Sequence, residues 1–192
     1  MSEDGFHVHG PHDHELEHAA QHGGGDSFSD RIAVTTAVLA TVGALFAYQG
    51  GATQAGAGMA KNNAAIKKTE AANQWNYYQA KSTKENLADL GRELSAANKQ
   101  ERFQQAIDRY KEEKAVIKST AEKFEAESKD WDRQSDELMH LHHRWAQATT
   151  LLQIAIALSA IALLTRKQWL QWGVYGLSTI GIAVGVLAML HT

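Results

Sequence analysis

Residues 145–190 read WAQATTLLQIAIALSAIALLTRKQWLQWGVYGLSTIGIAVGVLAML, and this stretch decides the fold. It holds two uncharged runs, 19 residues at 146–164 and 22 at 169–190, parted by a short loop, residues 165–168, containing Arg166 and Lys167. The hydrocarbon core of a bilayer takes about 20 helical residues, with a range of roughly 17–25. A soluble domain of this size has little room to hide two helices that are apolar on every side. Trp145 opens the first run, and Trp169, Trp172 and Tyr175 cluster at the start of the second, where aromatic side chains favour the membrane–water interface.

Working outward, residues 32–48 give 17 more positions without a charge, closed by Tyr48. The sequence therefore predicts three transmembrane helices, with the lipid bilayer as the first partner. None carries a charge in its interior, which argues against a pump or ion-coupled transporter acting alone. In the last span the Gly181-x-x-x-Gly185 spacing marks a face where helix backbones approach closely.

Residues 51–144, between the first two spans, contain 16 basic and 15 acidic side chains and no proline. A continuous polar helical region is expected. In its second half Phe103, Ile107, Tyr110, Lys114, Ile117, Ala121, Phe124, Ser128, Trp131, Ser135, Leu138, His142 and Trp145 keep a 4-3 spacing, with Lys114 the polar exception. Leu87, Leu90, Leu94 and Ala97 repeat that spacing in the first half. The phase is lost around residues 95–101, so the chain is expected to reverse there. Two helices of about 45 residues would make a rod of about 65–70 Å. The expected fold is thus all-α: three transmembrane helices, with a long antiparallel helical hairpin, a coiled-coil-like rod, between the first and second spans. The expected segments are a tail at 1–30, a span at 31–50, the hairpin at 51–144, a span at 145–164, the basic loop at 165–168 and a span at 169–190.

The averages hide this segregation. Over 192 residues, 44% hydrophobic and 21% charged side chains with a formal charge of -3 would describe a soluble acidic domain, as would the mean hydropathy of -0.38. The absence of cysteine excludes a disulfide scaffold, a thiolate metal site and a cysteine nucleophile. A near-neutral charge argues against a nucleic-acid binder. No nucleophile–base pair, phosphate-binding glycine loop or paired catalytic carboxylates appears outside the charged hairpin, where glutamates normally form a solvated face, so an enzyme is not expected.

Residues 1–30 carry seven acidic residues, six histidines, the only proline and no Lys or Arg, a composition expected of a mobile tail. Neutral imidazoles ligate zinc or nickel, making His7, His9, His12, His14, His18 and His22 candidate metal ligands. His14, Glu15 and His18 fit the H-E-x-x-H pattern of zinc proteases, but nothing around them builds a packed catalytic helix. His140, His142 and His143 form a second candidate group, with His191 expected at the same membrane face. Positive-inside reasoning on Arg31, Arg166 and Lys167 puts the tail and the short loop in the cytoplasm and the hairpin outside.

The run Asn73, Gln74, Trp75, Asn76, Tyr77, Tyr78, Gln79, Ala80, Lys81, Ser82, Thr83, Lys84 resembles the signature of a bacterial membrane family known as domain of unknown function 4337. The later run from Arg109, Tyr110, Lys111, Glu112, Glu113 and Lys114 to Glu127 and the histidine- and acid-rich N-terminus are similar to it too. The resemblance implies a bacterial inner-membrane protein of three-span design and brings no activity or ligand residues. Adjacent helical residues diverge by about 100°, so Trp75, Tyr77 and Tyr78 cannot all face one seam. They are the residues expected to meet another subunit or partner. The leading expectation is a non-enzymatic membrane protein whose rod mediates self-assembly or partner binding. The alternatives are a metal- or pH-responsive protein, and a subunit of a multimeric proton channel, since the span order also resembles the TolQ and ExbB type.

Overall fold

A computed structural model describes residues 27–190. Among them are three helices: α1 Ser27–Leu94, α2 Ala97–Thr165 and α3 Gln168–Met189. No proline interrupts α1 or α2, so each continues without a stop from an apolar segment into a charged one. Each of the three is long and apolar enough to cross a membrane. The six tail histidines and His191 lie outside the described residues, as does the H-E-x-x-H match.

Two residues, Ser95 and Ala96, join α1 to α2. The Ser95 amide donates to the Arg92 carbonyl at 3.4 Å, and the Lys99 amide to that of Ala96 at 2.9 Å. After α2, Arg166 adopts a left-handed φ of 51°, the one non-glycine to do so among the described residues. A side chain there costs roughly 1–2 kcal/mol, and Lys167 then turns the chain extended before α3.

Contacts divide the protein into two units: the described residues up to Ala47 with those from Trp145 onward, and Tyr48–Arg144. In the first, Leu39 of α1, Leu152 and Ala155 of α2 and Val174 of α3 form a buried cluster, flanked by Val42, Phe46, Ile156, Leu158 and Leu177. A second cluster gathers Ile32, Ala162 and Leu170. Gly181 sits where a Cβ would come within 3.2 Å of Leu151 Cβ and 3.0 Å of a Leu152 methyl, while a Cβ on Gly185 would collide with the Phe46 ring. Both glycines of the expected packing face thus admit side chains from neighbouring helices of the same chain. Val34, Val38, Leu45, Ile161 and Ile180 point outward and are exposed among the described residues.

In the second unit the buried residues of α2 are Ile107, Ile117, Ala121, Ser128 and Ser135, all within the register read from sequence. The matching face of α1 is different in kind. Ala57, Ala60, Ala64, Ala71 and Ala88 are buried, with Lys67, Gln74, Tyr78, Lys81 and Glu85 half-buried between them at the same 4-3 spacing. Leu87, Leu90 and Leu94, expected to continue the seam, are instead 63%, 51% and 79% exposed. Small side chains on α1 let the backbones come close. Ser135 Oγ donates to the Ala57 carbonyl at 2.9 Å and Ser128 Oγ to that of Ala64, also at 2.9 Å. Contact partners run in opposite senses along the chain, from Gly50 with His142 through Lys67 with Glu127 to Arg92 with Gln104.

Candidate interaction surface

The run resembling the family signature covers just over three turns of α1, and Gln74, Trp75, Tyr78 and Lys81 are among its half-buried residues near α2. Trp75 Nε1 donates to Glu125 Oε1 at 2.7 Å, and its ring meets Tyr78 edge-on at 5.7 Å. Tyr78 is half-buried, with the Lys114 ammonium 5.2 Å from its ring centre. Lys81 Nζ lies 2.5 Å from Glu113 Oε2, between the Tyr77 ring at 5.1 Å and the Tyr110 ring at 5.6 Å. Tyr77 itself is 50% exposed. Of the three aromatic residues expected to meet a partner, two therefore have carboxylate or ammonium partners on α2, and Tyr77 keeps half its surface open.

Beside the Lys81–Glu113 pair, Lys114 Nζ reaches Glu85 Oε2 at 2.5 Å. The two ion pairs run in crossed directions, one lysine from each helix. Cation and ring attract one another electrostatically, which favours leaving the tyrosines around the ammonium groups. Glu85 and Glu113 each bury an oxygen whose partner is the facing lysine. A one-residue slip would separate both lysines from their carboxylates in a layer that is only partly open to water, so these pairs favour one register of α1 on α2. Lys114 had marked it in sequence as the charged residue on an apolar seam. Lys81 and Glu113 stand in the sequence only as members of the two runs that resemble the family, and Glu85, next to Lys84, reads there as part of a solvated charged face.

The electrostatics follow the pairing. Glu113 holds its carboxyl below the ordinary value, chiefly through the hydrogen bond from Lys81. Lys81 is raised in turn, by Glu113 first and Tyr77 second. Lys67, placed 3.0 Å from Glu70 and 3.1 Å from Glu127, is raised by these two in that order. Lys61 is raised by its 2.8 Å hydrogen bond with Asp132.

His140 and His143 are exposed on α2, while His142 is half-buried. His142 Nδ1 lies 2.8 Å from the Gly50 carbonyl oxygen, and the His142 and His143 rings are 5.7 Å apart. A carbonyl only accepts, so Nδ1 carries the proton in this bond. Among the described residues no three His, Asp or Glu side chains are gathered as a metal site.

Beyond the ion-pair layer, Lys84, Leu87, Arg102, Phe103, Arg109 and Tyr110 line an open groove of about 900 Å³. The Phe103 ring lies against Gly91, where a Cβ would stand 2.6 Å from it.

Residues 28–191 match a family model described as Domain of unknown function (DUF4337). No curated protein and no solved structure matches the chain.

Proposed function

Since the chain belongs to that family, which brings no assigned activity, we propose that it is a non-enzymatic integral membrane protein whose residues 48–144 form an antiparallel helical hairpin for binding another protein chain. The observation that carries this is the exposed leucine face of α1, Leu87, Leu90 and Leu94, beside a seam already closed by alanine and ion pairs. Apolar side chains in a helical 3-4 spacing, left open on a charge-dense surface, are the feature a partner helix covers. Photo-cross-linking residues at Leu90, Tyr77 and Val116 of the full chain in its native membrane test it. Discrete adducts from one of these positions are expected, whether with a second copy or another protein; their absence from all three overturns the reading.

The family resemblance and the three apolar helices support a bacterial cytoplasmic membrane. Arg31, Arg166 and Lys167 favour a cytoplasmic N-terminus with the hairpin outside. Ser95→Cys and Thr165→Cys should then label from opposite sides with an impermeant thiol reagent, Ser95→Cys in intact cells. Labelling of Thr165→Cys in intact cells reverses the orientation.

A second reading, a metal-responsive joint, draws on His142 alone. With Nδ1–H given to Gly50, its Nε2 is the lone-pair nitrogen, the arrangement that orients a ligating imidazole. Calorimetry with zinc or nickel should then show stoichiometric binding that drops when His140, His142 and His143 become alanine; binding indifferent to these changes sinks it.

A further inference from the structure

We propose that the Leu87, Leu90 and Leu94 face, together with the basic groove that shares Leu87, docks an acidic amphipathic helix of a partner protein. The inference rests on the reading of residues 48–144 as a binding element and names its surface and the chemistry of its partner.

The three leucines stand at i, i+3 and i+7, so they form one stripe on α1. They are exposed although the helix has buried its other face, so the stripe is a second seam rather than a misplaced part of the first. A stripe of that period is covered most completely by another helix, whose side chains enter the spaces between leucines.

Charge selects the partner. Lys84, Arg102 and Arg109 line the groove around Phe103 and Tyr110, and no acidic side chain lines it with them. Arg102 makes no ion pair among the described residues, while Lys84 and the 63% exposed Arg109 share one carboxylate, Glu113, which lies 3.6 Å from Arg109, so the groove keeps an excess of positive charge. A second copy meeting this patch with its own would set one cation-rich groove against another, since an isologous contact pairs a surface with itself. A helix with apolar residues on one face and carboxylates beside them has the opposite charge and a matching apolar stripe.

The test uses the full chain in nanodiscs of neutral lipid and a fluorescent synthetic helix with leucines at heptad a and d positions flanked by glutamates. Its counterpart has every glutamate replaced by lysine. The glutamate peptide should bind saturably and weaken as salt rises, and the lysine peptide should not bind. Leu90→Glu and Arg102→Glu, both changes at open positions, should each weaken binding by about tenfold or more while helical content is unchanged. Equal binding of the two peptides, or binding indifferent to both substitutions, overturns the proposal. So does a halving of the particle's protein mass in Leu90→Glu without peptide binding, which gives the face to a second copy. Association only with anionic vesicles gives it to a membrane and overturns it likewise. Cross-links from Tyr77 or Val116 that persist when the peptide fails leave the binding element standing and remove only this surface.

Discussion

The Ser128 hydroxyl donates to the Ala64 carbonyl oxygen across the two helices at 2.9 Å. Seven residues on, Ser135 does the same to Ala57, and seven further His142 meets Gly50. The acceptor positions on α1 step by seven in the opposite sense, 64, 57 and 50, and each is Ala or Gly. Residues that small bring the helices close enough for even a serine hydroxyl to reach a backbone oxygen across the seam.

That spacing makes the seam sensitive to size. Ala64→Leu or Ala57→Leu should push the helices apart and cost about 1–3 kcal/mol, while Ala65→Leu, on an exposed position, should cost little. Ser128→Ala should cost about 1 kcal/mol, since the Ala64 carbonyl keeps its own helix bond. Thermal unfolding of the detergent-solubilised chain, followed by helical circular dichroism, reads all four.

The ion-pair layer should respond to charge exchange. Lys81→Glu alone sets two carboxylates face to face, and Glu113→Lys alone sets two ammonium groups together. The double exchange restores a pair and should recover most of the unfolding midpoint lost by either single change. A double variant no better than the worse single one would show that Tyr77 and Tyr110, rather than the charge pair, hold the layer.

The same pair sets a pH window. Glu113 is depressed below the ordinary 4.5, so its contribution is present above that value and is lost as the pH falls through the depressed one. Lys81 is raised above 10.5, so its contribution is present below that value and is lost as the pH rises through the raised one. The gap in melting temperature between the natural chain and Lys81→Met/Glu113→Gln should therefore be widest between about 4.5 and 10.5 and close on either side.

In the apolar unit, Gly185→Leu should collide with Phe46 and cost about 1–3 kcal/mol. Phe46→Ala, which empties that space, should compensate part of the loss in the double variant. Gly176→Ala meets nothing within 4 Å and should be neutral. Unfolding midpoints in one detergent separate the three.

Much of this protein was determined by sequence alone. The three long apolar helices follow from uncharged runs that no other solvent than hydrocarbon, or a large core, accommodates. The seam of α2 follows from Phe103, Ile107, Ile117 and Phe124, whose apolar side chains stand out against charged neighbours. The facing seam of α1 gave no such contrast. Alanine is nearly neutral in hydropathy, and Lys81 and Glu85 read as solvated until Glu113 and Lys114 are known to lie opposite. Leu87, Leu90 and Leu94, the most apolar residues nearby, marked the wrong face for the seam. Only the tertiary structure decided which side of α1 is closed, because small size and charge pairing are properties of two helices together, whereas apolarity can be read from one.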